Sequence, residues 1–324
     1  MSAEAGSAAA LGITSRDVEE IHYYLAQSPR QLPSRLLYDV LGSSLFDAIC
    51  LLPWYRITRA EMRLLVTQGA AIGRRTSATE IVELGCGNGQ KLEALMRAVR
   101  PTRPDVHLID VSREALDRTT QVLRAAGAMR ITAVQATYED GLMQLPAAPR
   151  HGRRLILFLG SNIGNFDPPA ASAFMHLTRR ALRRRDWLLL GVDLVKPERD
   201  LTLAYDDPLR VTAAFNKNLL LRLNTEAGAN FDLDGFGHEV RWNRHASRIE
   251  MHLVSRRRHD VVVPGPNGPL AFTLEQGESI WTESSYKYEP DGVRALVESD
   301  GLELRSQWID DDARFLLALF EAVT

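Results

Sequence analysis

Cysteine is scarce in this chain of 324 residues, which contains only Cys50 and Cys86. Two cysteines cannot form a disulfide framework or a four-ligand zinc site of the usual spacing, so we expect a protein of the reducing cytoplasm. The eight histidines form no His-x-His, His-Glu-x-x-His or clustered His/Cys pattern. The sequence therefore predicts no metal site.

An excess of charge is also lacking, since 39 lysines and arginines stand against 41 acidic residues and the net charge is −2. Such a balance provides no field that would gather DNA, RNA or an anionic membrane. No apolar run approaches the roughly 20 residues of a membrane span, and the opening residues have no basic segment followed by an apolar core. We expect no nucleic-acid or membrane partner, a small-molecule substrate and a monomer.

Two basic clusters, at 179–185 and 256–258, keep RNA binding open as an alternative. The first lies at the end of a predicted helix, where cations offset the helix dipole and the adjacent carbonyl groups. Because neither cluster is accompanied by a basic domain, we favour a solvated helix end as the interpretation of the first.

What the sequence does contain, from about residue 80, is an alternation of β-rich runs and helical periodicity. This pattern is typical of βαβ units around a parallel sheet. The predicted strands are 80–85, 106–111, 131–136, 154–160, 187–195, 302–310 and 313–323, and helices are predicted at 90–100 and, with Ser112 as N-cap, at 112–127. The sequence therefore predicts an α/β fold with a predominantly parallel sheet of about seven strands.

The region from about 197 to 284 has a different pattern of predicted helices and strands. A helix is predicted after Asp206 or Asp207, with Pro208 at its first position, and β-hairpin material follows. We interpret this region as an inserted α+β domain against which the first 59 residues pack. The predicted division is 60–196 with 285–324 for one domain, and 1–59 with 197–284 for the other.

The stretch VELGCGNGQK (82–91) indicates a strand, a glycine turn and a helix. A dinucleotide fingerprint requires G-x-G-x-x-G, whereas the glycines here are at 85, 87 and 89 and position 90 is Gln. With Glu83 before it, the turn resembles the E-x-G-x-G motif of Rossmann-like S-adenosylmethionine (SAM) methyltransferases. A tight turn that only needs the backbone freedom of glycine is the alternative.

Asp110 ends the next strand, where a carboxylate can accept hydrogen bonds from both hydroxyls of an adenosine ribose. It could instead cap the following helix beside Ser112. Together, the turn and Asp110 favour a nucleoside-containing cofactor, and the register of the glycines favours SAM over NAD.

Ligands of open α/β sheets lie beyond the carboxyl ends of the strands, so Gly160, Ser161, Asn162 and Asn165 are expected beside the cofactor. A carboxamide there can accept from an amine and donate to a carboxylate without adding charge. Asparagines in a turn need no function, and for Asn162 we favour that interpretation. Methyl transfer from a sulfonium is an in-line displacement, for which positioning is the main requirement.

Further along, Glu283 and Ser285 are two residues apart in a predicted strand and share a face. They could bind a basic group with two nitrogens, although a solvated polar face has the same pattern. The alternation that places Met251 beside Ile249 and Leu253 indicates core by itself.

Eight segments together resemble the histidine-specific Nα-methyltransferase family of ergothioneine biosynthesis, from about residue 30 to the C-terminus. They are YDVLGSSLFDAICLLPWYRITRAE, ELGCGNGQK, FLGSNIGNF, LLLGVDLVK, AYDDPLRVTAAFNKNLLLRLN, FDLDGFGHEVRWN, SRIEMHLVSRR and TESSYKY. Several lie in the predicted insertion, which makes the resemblance more specific than the glycine turn alone.

The resemblance implies a Rossmann-like SAM domain, a second substrate-binding domain and an active site between them. It implies that SAM is bound by Tyr38, Gly85, Lys91 and Asp110. It implies that the substrate, L-histidine, is bound by Tyr55, Gly160, Asn165, Tyr205, Met251, Glu283 and Ser285. Asn165 and Tyr205 would be the catalytic pair, holding the α-amino and α-carboxylate groups, while Tyr55, Glu283 and Ser285 would hold the imidazole.

Family members with other amino-acid substrates differ at Glu283 and Met251, so the resemblance makes the first a specificity element and the second a pocket wall. The implied product is trimethylhistidine (hercynine). Each transfer requires a neutral amine, and the sequence assigns no general base.

The chain departs from the family in two places. Tyr55 is followed by Arg56 where many members have Tyr-Tyr, and Ala136-Thr137 replaces a frequent Gly-Asp beside the adenine. Thr137 is therefore left out of the predicted site. The alternatives are methylation of another amine or of a ring nitrogen of histidine, and a SAM-binding module without catalysis.

Overall fold

The structure is a computed structural model and describes residues 12–98, 104–128, 130–149 and 151–323. The helices are α1 (Ser15–Leu25), α2 (Val40–Leu51), α3 (Ile57–Thr76), α4 (Gln90–Ala98), α5 (Arg113–Ala125), α6 (Tyr138–Gln144), α7 (Pro168–Arg180), α8 (Glu198–Tyr205), α9 (Val211–Ala227) and α10 (Pro290–Glu298). The strands are β1 (Arg30–Gln31), β2 (Glu80–Leu84), β3 (Asp105–Asp110), β4 (Ile131–Gln135), β5 (Arg154–Phe158), β6 (Trp187–Asp193), β7 (Phe236–Asn243), β8 (Arg248–Ser255), β9 (His259–Val263), β10 (Leu270–Leu274), β11 (Ser279–Tyr286), β12 (Leu302–Asp310) and β13 (Phe315–Ala322). The opening residues 1–11 and the last two residues of the helix predicted at 90–100 lie outside the described ranges.

The seven predicted strands form one sheet in the order β12-β13-β6-β5-β2-β3-β4. Strands β2 to β6 pair in parallel, and β13 runs antiparallel to both of its neighbours. Along β5, Leu155 and Leu157 join one hydrophobic cluster while Ile156 and Phe158 join the other, so both faces of the strand are buried under helices. The prediction of an α/β fold with a mostly parallel seven-stranded sheet is confirmed.

A second sheet, in the order β1-β11-β8-β7, is formed by the insertion together with the N-terminal segment. The two-residue strand β1 pairs in parallel with β11, with Arg30 opposite Ile280. The predicted domain boundary at 59/60 falls inside α3, and the one at 284/285 falls inside β11. The division into two domains therefore stays a prediction.

Two helix starts can be compared with their predictions. Ser112 caps α5 by accepting a hydrogen bond from the Ala115 N–H at 3.2 Å, as predicted. The prediction of Pro208 at the first position of the next helix is wrong, because α9 begins at Val211. The Asp207 carboxylate bonds to the N–H groups of Val211 and Thr212, at 3.1 and 2.8 Å, and so ties the helix start beyond the proline.

Within the described ranges, no helix has both the length and the apolar character needed to cross a membrane.

Candidate active site

Two cavities meet beside the carboxyl ends of the parallel strands. The first, about 710 Å³ in volume, includes Gly85, Gly87 and Asp110 in its lining, and we call it the glycine-turn cavity. The second, about 470 Å³, includes Glu283 and Ser285, and we call it the β11 cavity. The residues that line both are Tyr38, Phe46, Asn162 and Asn165. The two cavities therefore share a wall.

The predicted residues gather at these two cavities. Those that line the glycine-turn cavity are Tyr38, Gly85, Asp110 and Asn165. Those that line the β11 cavity are Tyr38, Tyr55, Gly160, Asn165, Tyr205, Met251, Glu283 and Ser285. Lys91 is the predicted site residue that lines neither of them.

The glycine turn adopts a backbone that side chains rarely allow. Gly85 has φ +79°, and a Cβ there would lie 2.8 Å from Asn162 Nδ2 and 2.9 Å from Tyr138 Oη. Gly87 has φ +52°, and a Cβ there would meet no atom within 4 Å. The sequence predicted either a tight turn or a ligand cradle, and features of both are present: Asn162 and Tyr138 crowd Gly85, while Gly87 borders open space in the cavity.

Asp110 holds this turn in place. One carboxylate oxygen accepts from the Ser112 N–H at 2.8 Å, and the other accepts from the Gly87 N–H at 3.4 Å. Burial raises the pKa of Asp110, against the effect of these hydrogen bonds. The Cys86 thiol also donates to the second of these oxygens, at 3.6 Å. Because Ser112 caps α5, Asp110 is not the helix cap, and its carboxylate lines the cavity, where it can still accept a hydrogen bond from a ribose hydroxyl.

Lys91 forms an ion pair that the sequence did not predict. Its Nζ is 2.6 Å from Oε2 of Glu61, a fully buried residue of α3. The Glu61 oxygens also accept from the Gly160 N–H, at 2.8 and 2.9 Å. A Cβ on Gly191 would lie 2.0 Å from the Glu61 carboxylate, so the missing side chain makes room for it. Lys91 therefore reaches the site through Glu61 and Gly160.

In the β11 cavity, Tyr205 Oη lies 2.8 Å from Ser285 Oγ. The resemblance assigned these two residues to opposite ends of the substrate, whereas the structure brings their hydroxyls into contact. Behind them, the Lys287 ammonium donates to both, at 2.9 and 2.8 Å, and pairs with Asp193 at 2.9 Å. The sequence-based prediction missed Lys287, although the alternation 283, 285, 287 in TESSYKY was a signal for it.

Glu283 is the unpaired charge of this cavity. Its carboxylate has no hydrogen-bond or ion-pair partner among the described residues, and only its backbone carbonyl accepts, from Trp281 Nε1 at 2.9 Å. Burial raises the pKa of Glu283 to about 7, although the Lys287 ammonium lowers it. Met251 lies directly opposite Glu283 in the β8–β11 ladder, so the two predicted specificity residues are neighbours.

Aromatic rings surround the shared wall. The Tyr38 ring lies 5.5 Å from both Phe46 and Phe215, and the Tyr55 ring lies 6.2 Å from that of Tyr205, all in edge-to-face geometry. Phe46 and Phe215 were not predicted, because apolar residues on helices have the same sequence pattern in a core as in a pocket wall. The shared wall is therefore largely aromatic, and Asn165 is a polar group in it.

A metal centre is not apparent in the part of the chain that the structure describes, where no group of three or more His, Cys, Asp or Glu side chains is arranged to hold an ion.

Comparison with known proteins adds to this geometry. The family described as "Histidine-specific methyltransferase, SAM-dependent" matches residues 17–322. The chain is 39% identical to the histidine N-alpha-methyltransferase of Mycobacterium tuberculosis over 305 residues, which cover 93% of each protein. It is also 39% identical to the enzyme of the same name from Mycolicibacterium smegmatis over 303 residues, 91% of each chain. Ergothioneine biosynthesis protein 1 of Schizosaccharomyces pombe is 29% identical over 290 residues, which cover 86% of this chain and 37% of that one.

Proposed function

This chain belongs to the family of SAM-dependent, histidine-specific methyltransferases, and we propose that it transfers methyl groups from SAM to the α-amino nitrogen of L-histidine. We propose trimethylhistidine (hercynine) as its product, in ergothioneine biosynthesis. The observation that carries the proposal is the unpaired Glu283 carboxylate in a cavity that shares Asn165 with the glycine-turn cavity.

The glycine-turn cavity fits SAM. Gly87 leaves open space in front of the turn, and Asp110 offers acceptor lone pairs at the tip of β3. In the proposed site, Asp110 binds the ribose, Gly85 and Tyr38 line the cofactor, and the Lys91–Glu61 pair fixes the strand end at Gly160. The cofactor supplies an electrophilic methyl group on a sulfonium.

The β11 cavity fits a histidine side chain. Glu283 accepts a hydrogen bond from a ring N–H in the proposed complex, since its carboxylate lacks a partner in the described protein. A bound amino acid with an apolar side chain would leave the Glu283 carboxylate without a hydrogen bond. Leaving a buried polar group unpaired costs about 1–3 kcal/mol, and a charged group costs more. Glu283 therefore supports selection of an imidazole.

With the ring held at Glu283, the amino end of the substrate extends toward the shared wall. There, Asn165 Oδ1 can accept a hydrogen bond from an N–H of the amine. This hydrogen bond would orient the lone pair of the amine nitrogen toward the glycine-turn cavity. Tyr205 can donate to the α-carboxylate. This arrangement supports the α-nitrogen, rather than a ring nitrogen, as the methylated atom.

The amine must be neutral to react, and it must lose a proton before each later transfer. Burial raises the pKa of Tyr38 and Tyr55 well above the ordinary value of tyrosine. Their phenols therefore keep their protons at neutral pH and serve as hydrogen-bond donors rather than as bases.

The test is incubation of the protein with SAM and an equimolar mixture of amino acids, followed by mass spectrometry. We expect histidine to gain methyl groups, up to three, and fragmentation to locate all of them on the α-nitrogen. Methyl groups on the ring, or on another amino acid in preference to histidine, would contradict the proposal. Binding of SAM without any methylated product would favour a non-catalytic module.

We also propose that the protein acts as a cytoplasmic monomer with its domains divided at 59/60, 196/197 and 284/285. One chain supplies the described lining of both cavities, and both cysteines are free thiols, which supports this proposal. Light scattering coupled to size-exclusion chromatography tests the monomer, since a dimer mass would contradict it.

A further inference from the structure

Lys287 is a buried lysine whose three donors are all in use. Its side chain has 0% exposure, and its Nζ lies 2.9 Å from Asp193 Oδ2. The same atom donates to Tyr205 Oη at 2.9 Å and to Ser285 Oγ at 2.8 Å. Burial opposes its charge, but the interactions with Asp193 and Tyr205 together outweigh burial and raise the pKa of Lys287. Lys287 is therefore an ammonium at neutral pH.

An ammonium donates hydrogen bonds but cannot accept them. The hydroxyl hydrogens of Tyr205 and Ser285 therefore cannot point at Lys287. The 2.8 Å contact between the two hydroxyls uses one of their two hydrogens. The other hydrogen is left for an acceptor in the β11 cavity, which both residues line.

We propose that Lys287 is a positioning residue that turns the hydroxyl hydrogens of Tyr205 and Ser285 toward the acceptor atoms of the bound amino acid. This inference rests on the proposed function and deepens it. The acceptors are an α-carboxylate oxygen for Tyr205 and the unprotonated ring nitrogen for Ser285.

The hydroxyl pair then responds to the number of acceptors on the ligand. A ligand with an acceptor at each hydroxyl breaks the Tyr205–Ser285 contact and receives both hydrogens, while Lys287 continues to donate to both oxygens. A ligand with one acceptor leaves the pair bonded and receives one hydrogen. The charge of Lys287 also strengthens both hydroxyls as donors, because hydrogen bonds in a chain polarise one another.

Lys196 provides a matched control. It donates to Oδ1 of the same Asp193 carboxylate and to the Ala313 carbonyl, and it lines a separate cavity. Lys196→Met therefore removes a lysine partner of Asp193 without touching Tyr205 or Ser285. The change in KM for histidine in Lys196→Met therefore measures the effect of losing a lysine partner of Asp193 through the fold alone.

The experiment compares Lys287→Met with Lys196→Met by steady-state methylation of histidine at saturating SAM and by calorimetric binding of SAM. We expect KM for histidine to rise about 10–100-fold in Lys287→Met, because hydrogen bonds from a charged donor are lost. We expect a rise of less than about 3-fold in Lys196→Met, and an unchanged Kd for SAM in both. If Lys287→Met does not fold, Asp193→Asn/Lys287→Met, which also removes the buried anion, takes its place.

A double-mutant cycle separates positioning from general support of the fold. Tyr205→Phe should raise KM for histidine about 10-fold in the unsubstituted enzyme and less than about 3-fold in Lys287→Met, because the lysine acts through that hydroxyl. Equal effects in both backgrounds, or equal effects of the two lysine substitutions, would overturn the inference. If the unsubstituted enzyme methylates no histidine, the proposed function itself fails; a failure confined to the variants concerns Lys287 alone.

Discussion

The glycine-turn cavity and the β11 cavity share a wall but are built by different means. The first is shaped by backbone: Gly85 and Gly87 make room, and backbone N–H groups hold Asp110. The second is shaped by side-chain charges, with an unpaired Glu283 and a fully paired Lys287. We therefore expect a change in backbone conformation to weaken ligand binding in the first cavity, and a change of charge to weaken it in the second.

The largest expected effect is that of Gly85→Ala on SAM binding. The new methyl would lie 2.8 Å from Asn162 Nδ2, and a side chain is strained at φ +79°, so either the turn or the Asn162 side chain that lines the cavity must move. We expect SAM binding to weaken by more than about 100-fold, measured by calorimetry. Gly127→Ala is the matched control, because Gly127 has φ +90° but no atom within 4 Å of the added Cβ. Equal losses in the two variants would mean that strain, rather than the crowded turn, decides binding.

Glu283→Ala should have the next largest effect, and it should act on the other cavity. We expect kcat/KM for histidine to fall by about 30–100-fold, since a hydrogen bond to a charged acceptor is lost, while the Kd for SAM stays within about 3-fold. Glu239→Ala, an exposed carboxylate of β7, is the control and should change neither quantity. If Glu283→Ala weakened histidine use and SAM binding to the same extent, the expectation that Glu283 acts only on the β11 cavity would be contradicted.

The third effect concerns the stability of the fold rather than ligand binding. The pKa of Glu283 in the folded protein, about 7, lies above the ordinary value of 4.5, so ionising this carboxylate destabilises the folded state. The destabilisation is absent below pH 4.5, grows as the pH rises to 7 and is constant above it, reaching about 3 kcal/mol at most.

Glu283→Gln removes this charge and should therefore unfold at a higher temperature than the parent at pH 8 without ligand. The advantage should shrink as the pH falls toward 5. Thermal unfolding at both pH values measures it. A constant difference between the two proteins would show that Glu283 does not titrate in this range.

The sequence allowed the seven-stranded sheet to be predicted because each strand carries its own local signal. The five strands β2, β3, β4, β5 and β6 alternate with helices in sequence order, and Asp110 follows the glycine turn by one βαβ unit. The start of α9 was missed because Asp207 reaches past the proline to bond the N–H groups of Val211 and Thr212.

The buried ion pairs could not be predicted in the same way. Glu61 and Lys91 lie on different helices, and Lys287 lies just beyond the end of β11 whereas Asp193 ends β6, so no local spacing marks either pair. The contact between Tyr205 and Ser285 joins residues 80 positions apart. The family resemblance placed both Tyr205 and Ser285 at the substrate, but at opposite ends of it, and so did not predict their contact.

The pairing of β1 with β11 has a consequence for synthesis of the chain. Arg30 and Gln31 find their strand partners only at Ile280 and Trp281, whereas β2 to β6 lie between residues 80 and 193. Contacts between distant residues form late, because a long loop must close first. The contacts of Asp110 with Gly87 and Ser112 join residues that are close in sequence, whereas β1 has no strand partner until β11 has been synthesised. A nascent chain that stops before β11 lacks Glu283 and Ser285 and therefore cannot form the β11 cavity.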